Sequence, residues 1–328
     1  MIGLGIEIGG TKLQIGLGAG DGTIKGLKRL AIVAHNGAEG ILAQILAAVG
    51  PLLEQSRLRR EDLDAVGIGF GGPVDARQGI VTCSHQVQGW NGFPLADWVR
   101  QNLGVALVSV QNDADAAALG ESRFGAGVGL SPVLYVTIGS GIGGALIVDG
   151  RIYRGGGTGA LEIGHLWIHD PGEHDHRSIE LENLASGWAI GLEGRYAVDR
   201  CLKDGWDSNQ MVRLVDSDSL RVTAAIVTEA AALGDREALA ILRRAARGLA
   251  QGLAHAVTLL APRRVILGGG VSLTRADLWL DPIRAELARL VFPPFRDAFD
   301  VVPAALGEGV VVQGALALAR DLGERSAQ

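Results

Sequence analysis

Two widely separated stretches of this chain use the same device, and that repetition limits what it can fold into. Ile2–Ile8 (IGLGIEI) is an apolar, β-branched run, Gly9-Gly10 interrupts it, and Leu13–Leu17 (LQIGL) resumes it. Val133–Ile138 (VLYVTI), the glycine turn Gly139–Gly144 (GSGIGG) and Ala145–Val148 repeat the arrangement. Apolar runs flanking a glycine pair read as hairpin strands. One such hairpin is only a turn, but two in comparable settings predict a duplicated fold with one glycine hairpin per lobe. Glycine belongs where backbone turns tightly or approaches a ligand closely, and the 49 glycines here gather just after strand-like runs. The N–H groups of such turns, with Lys12 beside the first, suit phosphate oxygens.

Between the hairpins lies VALVSVQNDADAAALG, Val105–Gly120. Val105–Val110 has the composition of a buried strand and the alanine-rich segment after it that of a helix. Asn112-Asp113 falls at their junction, and in open α/β sheets ligands gather at the carboxyl ends of strands. Two readings stand side by side. Asp113 or Asp115 caps the helix, or Asn112 and Asp113 present an amide and a carboxylate to a ligand. Upstream, Ala38–Gln55 has helical spacing and Leu63–Phe70 is a strand running into Gly71-Gly72-Pro73. Pro94–Leu103 is a helix with proline in its first turn. With a further strand near Leu30, the first lobe is predicted over residues 1–120, and the second over 121–328. Thr223–Leu260 is helical with a break near Gly234, and Arg264–Leu267 is a strand followed by Gly268-Gly269-Gly270. Val310–Arg320 is a closing helix expected to pack back on the first lobe.

Composition excludes several classes. A chain of 328 residues, 48% hydrophobic and 20% charged, is ordinary for a globular protein. A net charge of −6 without a basic tail or stripe gives no electrostatic footprint for nucleic acid. Cys83 and Cys201 form neither a disulfide framework nor a CxxC metal motif. No signal-peptide pattern and no apolar run of membrane-spanning length are read, so the expectation is a cytoplasmic protein without membrane partners. Gly139-x-Gly141-x-x-Gly144 satisfies a dinucleotide fingerprint, but a strand-like segment follows where that motif needs a helix. No GxxxxGK[ST] occurs.

Taken together, GIEIGGTK, GGPVD, QNDADAAALGE, TIGSGIGGALIVDG, EIGH, LENLASG and LGGGVS resemble the ROK family of sugar kinases and repressors, in the family's order and over essentially the whole chain. The resemblance implies an α/β, two-lobed actin-like ATPase fold (hexokinase-like, ribonuclease H-like) with a duplicated βββαβα core. It implies a hexose substrate, ATP and Mg2+, and a homodimer. By position, Asp113 matches the general base, and Asn112, Glu162, His165 and Glu182 match sugar contacts, with Gly72 and Asn91 on loops that select the sugar. Gly9, Gly10, Thr11 and Lys12 match a first phosphate loop, Gly139, Ser140 and Gly141 a second, and Gly268, Gly269 and Gly270 an adenosine motif.

The chain departs from the family at three places. Glu7 stands where Asp is usual, His85-Gln86-Val87 stands where many glucokinases carry PNL, and the cysteine cluster of a structural zinc site is absent between His165 and Glu182. That last segment is expected to be a metal-free loop, with a zinc held by His165, His174 and His176 as the alternative. The leading expectation is ATP-dependent phosphorylation of a hexose hydroxyl of glucokinase type. The alternatives are a kinase for N-acetylglucosamine, N-acetylmannosamine or fructose, and a non-catalytic sugar-sensing regulator. Met1 leading straight into the first hairpin speaks against an N-terminal DNA-binding extension.

Overall fold

The computed structural model describes all residues except 85, 157–158, 173–176, 206–208 and 327–328. In chain order the elements begin with β1 (Gly3–Ile8), β2 (Lys12–Gly18), β3 (Gly26–Ala31), α1 (Gly37–Gln55), β4 (Ala65–Phe70), β5 (Val74–Asp75) and β6 (Ile80–Val81). They continue with α2 (Leu95–Leu103), β7 (Leu107–Asn112), α3 (Asp113–Phe124), β8 (Val133–Ile138), β9 (Ile142–Val148), β10 (Arg151–Ile152), β11 (Trp167–His169) and β12 (Ser178–Glu180). The last third comprises α4 (Glu182–Ala185), α5 (Gly187–Lys203), α6 (Gln210–Leu214), α7 (Ala224–Ala232) and α8 (Arg236–Leu260), then β13 (Arg264–Gly268), α9 (Leu280–Leu290), β14 (Asp300–Pro303) and α10 (Val310–Ser326).

Two five-stranded sheets carry the architecture, ordered β3-β2-β1-β4-β7 and β10-β9-β8-β13-β14. Within each set of five the sequence order is third, second, first, fourth, fifth. In the first sheet β1–β2 and β2–β3 are antiparallel hairpin pairs, whereas β1–β4 and β4–β7 are parallel. In the second, β9–β10 is antiparallel and β13–β14 parallel. A repeated topology of this kind is the duplication that the paired glycine hairpins announce, in an α/β fold of the actin-like ATPase class.

The chain divides into two compact units. Unit 1 comprises Met1–Val133, Ala145–Ala160 and Ala304–Gln328, and unit 2 comprises Leu134–Gly144 and Leu161–Pro303. This division is more interleaved than a single cut at residue 120.

In unit 1 every residue of β1 and β4 is buried, as expected of strands covered on both faces. On one side lies α1, whose Ile41, Ile45, Val49, Leu52 and Leu53 recur at helical spacing and pack toward β2 and β3. Within Ala34–Gln55, 22 residues long, an 18-residue window of mean hydropathy 1.2 is apolar enough on composition to cross a membrane, which the sequence reading did not anticipate. Its buried stripe belongs to the core of unit 1.

On the other side α10 packs on β1, β4 and α3. Backbones meet there so closely that a Cβ on Gly67 would overlap the Ala315 carbonyl oxygen, and one on Gly314 the Ala116 carbonyl oxygen. Small residues at these crossings let the helix seat on the sheet. Buried Glu121 secures the chain's return, accepting hydrogen bonds from the N–H groups of Ala126 (2.7 Å), Ala305 (2.9 Å) and Leu306 (2.8 Å).

In unit 2, α8 runs for 25 residues beneath α5, α7 and α9 and is capped by Asp235, whose carboxylate accepts from Ala238 N at 3.0 Å.

Candidate functional site

Strand register assembles a candidate site in unit 1. Ile8 of β1 pairs with Phe70 of β4, and Phe70 pairs with Asn112 of β7. The carboxyl ends of three parallel strands therefore end level, and Gly9, Gly71 and Asp113, each the next residue, come side by side. Gly71 N donates to Ile8 O at 2.8 Å, and a Cβ on Gly71 would lie 3.3 Å from Asp113 Oδ2 and 3.4 Å from Gly9 Cα.

The helix cap is Asn112, not either aspartate. Its Oδ1 accepts from Ala114 N at 2.8 Å, while its Nδ2 donates to the Gly72 carbonyl at 3.1 Å. The amide thus ties the glycine turn after β4 to the end of β7. Asp113 Oδ1 accepts from Ala114 N as well, at 2.8 Å, which orients the carboxylate with Oδ2 toward Gly71. Asn91 is exposed on a loop anchored by Trp90, which is 1% exposed and packs edge-on against Phe70 and Phe93.

Two carboxylates govern the local electrostatics. Glu7 is 8% exposed, and its oxygens are held by Lys12 Nζ at 3.1 Å and by Gln14 Nε2, which donates at 2.6 Å. Burial outweighs these partners and pushes the Glu7 carboxyl above its ordinary value. Asp113 is pushed up to about 7, first by desolvation and then by the negative charge of Glu7. Lys12, on the first glycine turn, is bound to Glu7 and partly exposed.

Unit 2 carries a candidate site of its own. Ser186 caps α5, its side chain accepting from Ala189 N, and the N-terminus of that helix is stitched to the second glycine turn. Gly187 N donates to Gly139 O at 2.8 Å and Trp188 N to Ser140 O at 3.2 Å. Glu182 sits on the same turn, its Oε2 accepting from Ile142 N at 2.6 Å beside Gly141.

A cavity of about 430 Å³ opens there, lined by Gly139, Ser140, Gly187, Thr223, Gly270 and Thr274 among others. That volume is in the range of small-molecule sites. Two helix N-termini, those of α5 and of α7 with its cap Thr223, contribute to the wall, and such termini favour anions. Gly268 and Gly269 stand behind the cavity rather than in its lining. Gly268 abuts the Tyr135 hydroxyl, and Gly269, at φ 84°, crosses the backbone of Ile138 where a side chain has no room.

Sequence reasoning missed Thr223, Ala224, Thr228, Val271 and Leu273 in that wall. A threonine immediately before an alanine-rich helix was the available signal for the first of them. Among the expected sugar contacts, Glu162 and His165 are both exposed, and His165 Nδ1 lies 3.8 Å from Glu180 Oε2. His174 and His176 of the alternative zinc set lie outside the described residues. Among the described residues no group of three or more His, Cys, Asp or Glu side chains is placed to hold a metal ion.

Comparison with known proteins bears on the family and the fold. The sequence profile of the ROK family matches residues 3–322. A glucokinase from Thermotoga maritima is 32% identical over 97% of both chains, and one from Streptomyces coelicolor is 34% identical over 97% of both. The crystal structure of a ROK family glucokinase from Streptomyces griseus, in complex with glucose and AMPPNP, superposes with a TM-score of 0.81 at 36% identity, covering 98% of this chain and all of the other. With its paired glycine hairpins, its repeated sheet topology and a profile match over nearly its whole length, the chain belongs to the ROK family.

Proposed function

We propose that the protein is an ATP-dependent hexose kinase of glucokinase type, converting glucose to glucose 6-phosphate. The observation that carries this reading is Asp113. It is a carboxylate just past the carboxyl end of the edge strand β7, oriented by its own helix N-terminus and raised to about 7 by burial and Glu7. A base with that affinity for protons is matched to neutral pH. Asp113 takes the proton of the sugar hydroxyl as its oxygen attacks the γ-phosphorus. The bond to the bridging β–γ oxygen breaks, and ADP leaves with that oxygen. Catalysis of this kind consists mostly of placement and charge stabilisation.

In unit 1, the turn Gly9-Gly10-Thr11-Lys12 receives phosphoryl oxygens on its N–H groups and on Lys12, with Gly72, Asn91 and Asn112 shaping the sugar's surroundings. In unit 2, Gly139, Ser140 and Gly141 meet phosphate. The cavity floored by Gly270 takes the adenosine, with Gly268 and Gly269 as its support, and Glu162, His165 and Glu182 serve the sugar. Magnesium fits as an ion carried by the nucleotide. It prefers phosphate and water ligands with one or two carboxylates, and no carboxylate cage is built among the described residues. The ion would neutralise phosphate charge, with Glu7 the buried carboxylate nearest the first turn. A homodimer is part of this proposal, tested by sedimentation.

The direct test is ADP release with Mg-ATP across glucose, mannose, fructose and the N-acetylhexosamines, each with and without a zinc chelator. Turnover fastest on glucose and insensitive to the chelator is expected. Sugar binding by calorimetry without turnover on any hexose would replace the kinase with a sensor.

A further inference from the structure

Gln86, within the sequence that departs from the family pattern, puts its side chain on the first glycine turn. A Cβ built on Gly10 would fall on the Gln86 Oε1 and lie 3.2 Å from the Gln86 Cβ. The carboxamide therefore fills the space that the missing side chain of Gly10 leaves. Its base is held on both sides. Ser84 Oγ accepts from Gln86 N at 3.4 Å and from Val87 N at 3.2 Å, Val87 is 5% exposed, and the Gln88 carbonyl accepts from Ala38 N at 2.9 Å. The residue itself is exposed. A pinned backbone carrying a solvent-facing amide over a glycine turn is the construction of a ligand contact, since packing alone gains little from an exposed glutamine.

We infer that Gln86 is a phosphoryl-binding residue, its Nε2–H donating to an oxygen of the group being transferred as that group passes over Gly9-Gly10. The inference rests on the kinase reading. Its chemistry favours phosphate over a sugar hydroxyl because of the neighbour: the amide lies on Gly10, next to the glycine that touches Gly71 beside Asp113.

The test compares the wild-type enzyme with Gln86→Ala and Gln86→Glu, measuring kcat, KM for glucose and melting temperature. Loss of one donor to a charge-bearing oxygen lowers kcat about 10- to 100-fold, and a carboxylate facing the phosphoryl group lowers it about tenfold further. KM for glucose stays within about twofold, and the melting temperatures coincide because the side chain is exposed. Unchanged kcat in Gln86→Ala, or equal kcat in the two variants, would overturn the inference. So would a raised KM for glucose at wild-type kcat, which would make Gln86 a sugar contact. An inert wild-type chain would instead remove the kinase reading, and this inference with it.

Discussion

Replacing Asp113 with asparagine is expected to separate stability from catalysis, because the burial that raises the proton affinity of the carboxyl also strains the folded state. The carboxyl rises from an ordinary 3.8 to about 7 on folding. The folded chain thus binds the proton more tightly than the unfolded chain does. Below about pH 4 the group is protonated in both states and the residue has no electrostatic effect on stability. As pH rises from 3.8 toward 7 the folded state loses about 1.4 kcal/mol per pH unit, and the loss levels off near 4 kcal/mol once the group is ionised in both.

Asparagine keeps an oxygen to accept from Ala114 N and carries no charge. Entry of water at the site trims the full figure, so Asp113→Asn is expected to be more stable than wild type by about 2–4 kcal/mol at pH 8 and equal to it near pH 4. Thermal unfolding followed across pH 4–8, alongside ADP release at pH 7.5, checks both halves. Turnover should fall about 10³-fold or more. A melting-temperature difference that does not grow with pH would show that Asp113 is not strained by its charge. A kcat near wild type would show that it is not the base.

Three further outcomes follow from the same packing and charges. Glu7→Gln removes the charge that helps raise Asp113, so the acid limb of kcat/KM should move to lower pH; an unmoved limb would separate the two carboxylates. In Glu121→Gln an amide NH2 replaces one of two oxygens that accept only from backbone N–H groups. Chemical denaturation should register a loss of about 2–3 kcal/mol. Gly314→Val forces α10 off α3, where a Cβ already overlaps the Ala116 carbonyl, and should cost more than 3 kcal/mol or prevent soluble expression; a wild-type melting temperature would refute the close packing.

Much of the architecture was legible because it is written locally. Alternation around Gly9-Gly10 and around Gly139–Gly144, helical spacing in Ala38–Gln55, and a β-branched run leading into Asn112-Asp113 each concern residues within one or two turns of each other. The same local grammar fits two aspartates and an asparagine to a cap equally well, and the structure gives the cap to Asn112. Composition alone makes the stretch through α1 long and apolar enough to cross a membrane, whereas its place in the core of unit 1 depends on what it packs against.

What only the tertiary structure decided depends on residues that meet from distant segments. The wall of the 430 Å³ cavity joins Ser140, Thr223 and Thr274, and no periodicity links them. The proton affinity of Asp113 comes from burial and from Glu7, brought beside it by parallel pairing of β1, β4 and β7. Gln86 reads as a loop residue in sequence and acquires meaning only by lying on Gly10. The sequence by itself determined the elements, their order and the chemistry-bearing residue types, since these follow from propensity and pattern along the chain. The tertiary fold decided which carboxyl has its proton affinity raised and which glycine has a neighbour, because desolvation and charge act through space.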